Sequence, residues 1–135
     1  GPESRGLPAE VLDSLPAGLK ANIAAVLGMS LGHYYPELVG GPATTACGRE
    51  LPGITTIPVP ILSADETVLS EIYLTASDLD LVVPFGTAAL TTKTYDDYCT
   101  RLGALTDDDQ GVKGLLLYGP KKSVDKLVGQ LPLLR

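Results

Sequence analysis

The segment KGLLLYGP, residues 113–120, constrains the fold more than any other stretch of this chain. Residues 115–118 form an uninterrupted apolar run bounded by Gly114 on one side and Gly119-Pro120 on the other. A strand of that kind has no polar face, so it must be covered on both sides of its sheet. Glycine and proline then punctuate its ends.

The rest of the sequence offers that cover. Residues 7–12 (LPAEVL) read as a first strand, with Pro8 admissible only near its beginning. Residues 17–31 read as one helix entered through Pro16, which suits a first helical turn. Ala24, Ala25, Leu27, Gly28 and Leu31 make it apolar nearly all round, which predicts burial on more than one side. Residues 53–62 (GITTIPVPIL) are rich in β-branched side chains and predict a strand that ends or lies at an edge near Pro58 and Pro60. Ser63 or Asp65 then caps a helix running to about Ser77, with Val68, Leu69, Ile72 and Tyr73 facing inward. Residues 80–85 (DLVVPF) predict a short buried strand. TYDDYCTRLGAL predicts a helix with Tyr95, Tyr98, Leu102 and Leu105 on one face. KKSVDKLVGQL predicts a last short helix, and the apolar tail LPLLR is expected to pack. Strands alternating with helices predict an α/β fold, a three-layer sandwich on a mixed, mostly parallel sheet.

A chain of 135 residues with 44% hydrophobic residues accommodates one domain, assigned to residues 7–135, with residues 1–6 (GPESRG) read as a linker or processing scar. Six tyrosines, one phenylalanine and no tryptophan require an aliphatic core. A net charge of −6 argues against nucleic-acid binding, which draws on clustered Lys and Arg. Two cysteines and one histidine support neither a disulfide framework nor a structural zinc site, so no metal and no cofactor are expected. No apolar run is long enough to span a bilayer and no signal peptide is evident, so the expected location is cytoplasmic.

In an open α/β sheet, ligands bind beyond strand carboxyl ends, at helix N-termini. Two places fit: Gly18, Lys20 and Asn22 after the first strand, and Gly119, Lys121 and Lys122 after the last. Each offers free backbone N–H groups and a cation, suited to an anion, although a cap and a solvated lysine are the more ordinary explanation. Asn22 sits among Ala21, Ile23 and Ala24, where a buried amide needs partners. A clamp to a neighbouring loop and a ligand contact both supply them. Thr55 and Thr56 place hydroxyls on alternate faces of a strand, and Lys93, Thr94 and Tyr95 stand at a helix entrance. Cys47 lies in a loop near Arg49, whereas Cys99 is expected in the core. His33 reads as a lone surface or hinge residue, and Asp107–Asp109 as a solvated turn. A single histidine and no Gly-x-Ser-x-Gly leave a hydrolase triad little support, so no catalytic residue is assigned.

Five pieces, LPAGLKANIAAVLGMSLG, PELVG, GITTIPVPIL, KTYDDY and GPKKSVDKLVGQLPLLR, in this order and spacing, resemble the bacterial domain of unknown function 2000 family over residues 7–135. The family has no established reaction, and its fold is similar to that of type 2 peptidyl-tRNA hydrolase. The resemblance implies a mixed sheet of about four strands with helices on both faces. In the hydrolase a functional lysine directly precedes an Ile-Ala-Ala segment; here that position is Asn22, and the nearest lysine is Lys20. The hydrolase's Asp-Ala-Gly-x-Thr segment has no counterpart in VVPFGTAAL, and Asp125 and Val128 replace the Asn and Thr usual in the family. The leading expectation is therefore a domain binding a small anionic ligand through Lys20, Asn22, Thr56, Lys93, Gly119 and Lys121. The alternatives are a homodimeric or scaffold domain within a larger biosynthetic enzyme such as a polyketide synthase, and a peptidyl-tRNA hydrolase-like esterase.

Overall fold

In the computed structural model, which describes residues 6–135, the apolar run at 115–118 lies at the centre of a four-stranded sheet. The chain runs β1 (Gly6–Leu12), α1 (Ala17–Tyr34), β2 (Ala43–Thr44), β3 (Glu50–Leu51), β4 (Ile61–Ser63), α2 (Glu66–Thr75), β5 (Leu81–Phe85), α3 (Thr87–Thr91), α4 (Tyr95–Leu102), β6 (Gly114–Pro120) and α5 (Lys121–Val128). The reading of residues 1–6 as a linker or scar lies outside the described residues for 1–5, while Gly6 opens β1.

The sheet order is β4-β1-β6-β5, and a separate two-stranded hairpin, β2-β3, turns at Gly48 with φ 84°. β1 and β4 pair in parallel, whereas β6 is antiparallel to both β1 and β5. Three strands thus point one way, but two of the three ladders are antiparallel, which corrects the expectation of a mostly parallel sheet. The alternation of strands and helices set each strand's neighbours in sequence. It carried no information on β6 entering between β1 and β5 from the opposite end.

Period-two alternation sorts the strands into two cores. Ala9, Val11, Leu115 and Leu117 face α2 and α5, meeting Leu69, Ile72, Val124 and Val128. Leu12, Leu116, Tyr118 and Phe85 face α1, meeting Ile23, Leu27 and Leu31 at helical spacing. Helices therefore cover both faces, as the unbroken apolar run of β6 requires. Gly114 lets α1 down onto the sheet: a Cβ there would stand 2.5 Å from Ile23 Cγ2 and 3.0 Å from Leu12 Cδ2.

Several elements differ from expectation. Only Ile23, Leu27 and Leu31 of α1 are buried, while Asn22, Ala25 and Met29 face outward. Its small residues made the helix look buried all round, but only one of its sides meets the sheet. The strand expected over residues 53–62 shrinks to Ile61–Ser63, because Pro58 and Pro60 cannot donate to a ladder. Pro60 instead accepts from Glu10 N–H at 2.9 Å. Cys99 is exposed, not in the core, because α4 buries none of its residues. The tail packs as expected: Ser63 N–H donates to Pro132 O and Leu134 N–H to Ile61 O, each at 2.9 Å, closing the outer edge of β4.

The neighbouring inner strand β1 carries an acid. Glu10 alternates with Leu12, so its side chain lies under α1, with Oε2 close to Gly28. It is 2% exposed, and Oε1 has no hydrogen-bond partner among the described residues. Burial pushes its carboxyl from an ordinary 4.5 up to about 7. The unfolded chain releases this proton at lower pH than the folded chain does, so its contribution to stability is fully present below about 4.5 and is lost as pH rises through about 7. Parent and Glu10→Gln proteins compared by denaturant unfolding are expected to diverge over that window. The parent should lose up to about 3 kcal/mol relative to the variant, and parallel pH profiles would refute the buried acid.

Candidate functional site

The ladder registers decide which of the expected site residues can meet. Leu12 pairs with Gly114 and Gly6 with Pro120, so the carboxyl end of β6 lies at the opposite end of the sheet from that of β1. At roughly 3.3 Å per residue, the two ends are about 20 Å apart. Lys20 and Asn22, on the first turns of α1, and Gly119 and Lys121, at the start of α5, therefore flank opposite ends of the sheet. One pocket between these two entrances is excluded by the antiparallel pairing, and this corrects the expected assembly.

Each residue has a local account. Asn22 is exposed, so it is not the buried amide expected. Lys20 is half-buried. Gly119 makes room for the chain itself, since a Cβ would meet Leu79 Cα at 3.1 Å and Asp80 N at 3.2 Å. Lys121 pairs with Asp125 at 2.8 Å, and that hydrogen bond raises its pKa above the ordinary lysine value. Thr56 donates its hydroxyl to Leu38 O at 2.9 Å, fastening the segment after the hairpin. At the other end of the sheet Lys113 pairs with Glu66 at 3.0 Å and lies 4.0 Å from Asp13.

Lys93 is different. It stands on the rim of a cavity of about 430 Å³ between α1, β5 and the α3–α4 segment. Leu27 of α1 and Val83 and Phe85 of β5 supply apolar lining from two elements. Tyr34, Tyr95 and Tyr98 supply aromatic surface from the end of α1 and from α4. The polar end comes from Thr92, Lys93 and Thr94. Lys93 has no ion pair among the described residues, and it also borders an open hollow shared with Asp97 and Arg101.

Local sequence explains this polar end. Thr94 caps α4 by accepting from Asp97 N–H at 3.1 Å. Asp96 and Asp97 occupy the first turn, where they suit the helix dipole. Tyr95 and Tyr98 are tilted rings with centroids 5.6 Å apart. Burial, and then Tyr95, Cys99 and Tyr73 nearby, push the Tyr98 phenol above the ordinary tyrosine value, so it stays protonated and can donate a hydrogen bond.

Of the six residues expected to bind the ligand only Lys93 lines this groove, together with Thr94 and Tyr95 from the same helix entrance. Tyr34, Tyr95 and Tyr98 were missed as a group, because they come from segments about sixty residues apart. Their shared signal is that the chain has few aromatics and three of them surround one hollow.

The family model of the proteins of unknown function called DUF2000 matches residues 10–135, and the chain belongs to that family. Its structure is similar to that of Atu0240, a protein of unknown function from Agrobacterium tumefaciens strain C58, with a TM-score of 0.87 and 20% sequence identity. The match covers 96% of this chain and 98% of that one, and it establishes a shared fold. No curated protein matches the chain. No helix among the described residues is long and apolar enough to cross a membrane, and no group of three His, Cys, Asp or Glu among them could hold a metal ion.

Because α4 buries no residue, losing its cap is expected to act locally. Thr94→Ala should destabilise α4 by about 1 kcal/mol and speed exchange of its amides about fivefold, with little change in global Tm. A matching drop in global stability would show that α4 unfolds only with the core.

Proposed function

We propose that the groove between α1 and α4 binds a small organic anion with an apolar body. The carrying observation is the union in one cavity of three tyrosines, an aliphatic floor and an ion-unpaired lysine. Tyrosine faces and edges suit an apolar body, an aromatic ring or an alkyl chain, and a cavity with a few polar groups at one end fixes its orientation. Lys93 supplies the charge, and the Tyr98 hydroxyl supplies a donor. The reading keeps the expectation of an anionic ligand near a helix N-terminus and moves it from α1 and α5 to α4.

The residues lining the groove include no carboxylate, histidine or cysteine. Lys93, Tyr98 and Ser30 line it without a carboxylate or imidazole in the lining to activate them, so retention of a ligand is the better supported reading and peptidyl-tRNA hydrolysis the least supported.

A second reading is an interaction domain, as a homodimer or beside other domains of a larger biosynthetic enzyme. It is favoured by Met29 and Ile54, which are 78% and 80% exposed on α1 and after the hairpin. Self-association that Met29→Lys abolishes in sedimentation velocity would support it, and a monomer at every concentration would remove the homodimer.

The probe for the groove is 8-anilinonaphthalene-1-sulfonate, an aromatic body bearing one anion. Saturable binding of one molecule is expected. Lys93→Ala should weaken it about five- to tenfold, and added salt should weaken it in the parent but much less in the variant. Lys121→Ala, at the far end of the sheet, should bind as the parent does. Equal losses in both variants, or no saturable binding, would refute this site.

A further inference from the structure

Helices α4 and α5 are a natural pair for comparison. Each has eight residues, and each is amphipathic in sequence. α5 buries Val124 and Val128 against the sheet, whereas α4 buries nothing. Tyr98 and Leu102 of α4 are only half-buried, and Tyr95 is 76% exposed. The preceding helix α3 is anchored by buried Ala88. The weakly held segment therefore begins after Thr91 and ends near Gly103, with Thr92–Thr94 as its leading connection.

What lies beside this segment gives its looseness a use. A second cavity, of about 400 Å³, adjoins β5 and extends past Leu102 and Leu105 to a polar far end formed by Asp107 and the Tyr73–Gln110 hydrogen bond of 3.0 Å. The two cavities share Val83, Pro84 and Tyr98. Two of those belong to β5, an edge strand whose outer side has no strand partner in the sheet. Tyr98 is the only shared residue that α4 contributes. The hollows thus border one another around the edge of β5, and Tyr98 is the side chain of the under-packed helix common to both.

We propose that α4 is a lid, with Tyr98 as its partition, and that lifting it joins the two cavities into a site for an unbranched alkyl or acyl chain with an anionic head. The head lies at Lys93, and the chain passes beneath Tyr98 over Val83 and Pro84 toward Leu102 and Leu105. The proposal rests on the groove reading above and specifies its ligand. The physical argument is local. A helix that buries no side chain opens at little cost, and the apolar face it presents, Tyr98 and Leu102, gains cover only when a chain lies beneath it. A compact ligand fills the first cavity alone, whereas a long chain uses both.

The test has two independent parts. In the free protein, hydrogen exchange of the α4 amides is expected to be at least tenfold faster than that of the α5 amides, and saturating dodecanoate should slow it. Protection of α4 equal to that of α5 would overturn the lid whatever the groove binds. Saturated fatty acids of six to twelve carbons, below their micellar concentrations, are then ranked by displacement of the naphthalene sulfonate. Each buried methylene is worth at most about a fourfold gain, so affinity should keep rising across the series. In Leu105→Trp, which fills the second cavity, the rise should stop at a shorter chain, lowering the ratio of dodecanoate to hexanoate affinity at least tenfold. If the sulfonate binds but parent and variant reach the same plateau, the site ends at Tyr98: the joined site is overturned and the groove reading stands. If the sulfonate does not bind, the groove reading fails first and takes this ligand with it.

Discussion

The structure depends on how β6 enters the sheet. It lies between β1 and β5 and runs against both, with Leu12 opposite Gly114 and Phe85 opposite the same glycine on the other side. That register places the bare backbone of Gly114 beneath Ile23, so α1 settles closely on the sheet. Close seating packs Leu27 and Leu31 against Leu116 and Tyr118, which an aliphatic chain without tryptophan needs. The same register sends the carboxyl end of β6 to the far end of the molecule. It also leaves β5 at the edge, with α3 and α4 beside it. The groove is a consequence of that edge position.

Edge strands invite unwanted pairing and are commonly blunted by proline or a covering helix. β5 has both, in Pro84 and α4. Edge protection alone accounts for a helix being there, but it calls for a helix that packs firmly. α4 instead carries three apolar side chains, none fully buried, and stands between two hollows. A cover held this loosely suits a place that must open. Glu10 is the opposite case: an acid sealed beneath α1 at Gly28, with one oxygen lacking a partner among the described residues. Burial without a partner keeps its proton on at pH values where other carboxyls have lost theirs.

Much of the fold was legible. The unbroken apolar run of β6 and the glycine–proline stop after it marked the central strand. Ser63 or Asp65 marked the start of α2, and it is Asp65 that accepts from Val68 N–H at 2.9 Å. Strand direction was not legible, because β6 carries no alternation that would distinguish one neighbour from another. Asn22 was placed in the interior because alanine and glycine suit buried and exposed helix faces equally. Glu10 drew no notice, since one acid in an alternating strand normally points to solvent, whereas here α1 covers that face. The short helix α3 was hidden in TAALT, whose threonines have little helix propensity. At the groove, Lys93 was visible at the mouth of a helix. The tyrosines became a site only once the fold brought residue 34 next to residues 95 and 98.

The central claim is the position of the groove, and a titration followed by two-dimensional amide NMR tests it most directly. With the naphthalene sulfonate as probe, the account predicts that shifts concentrate on Ser30, Tyr34, Ala89, Lys93 and Tyr98, with Lys20, Asn22 and Lys121 almost unmoved. Shifts centred on the first turn of α1 or of α5, or scattered over the surface, would contradict it.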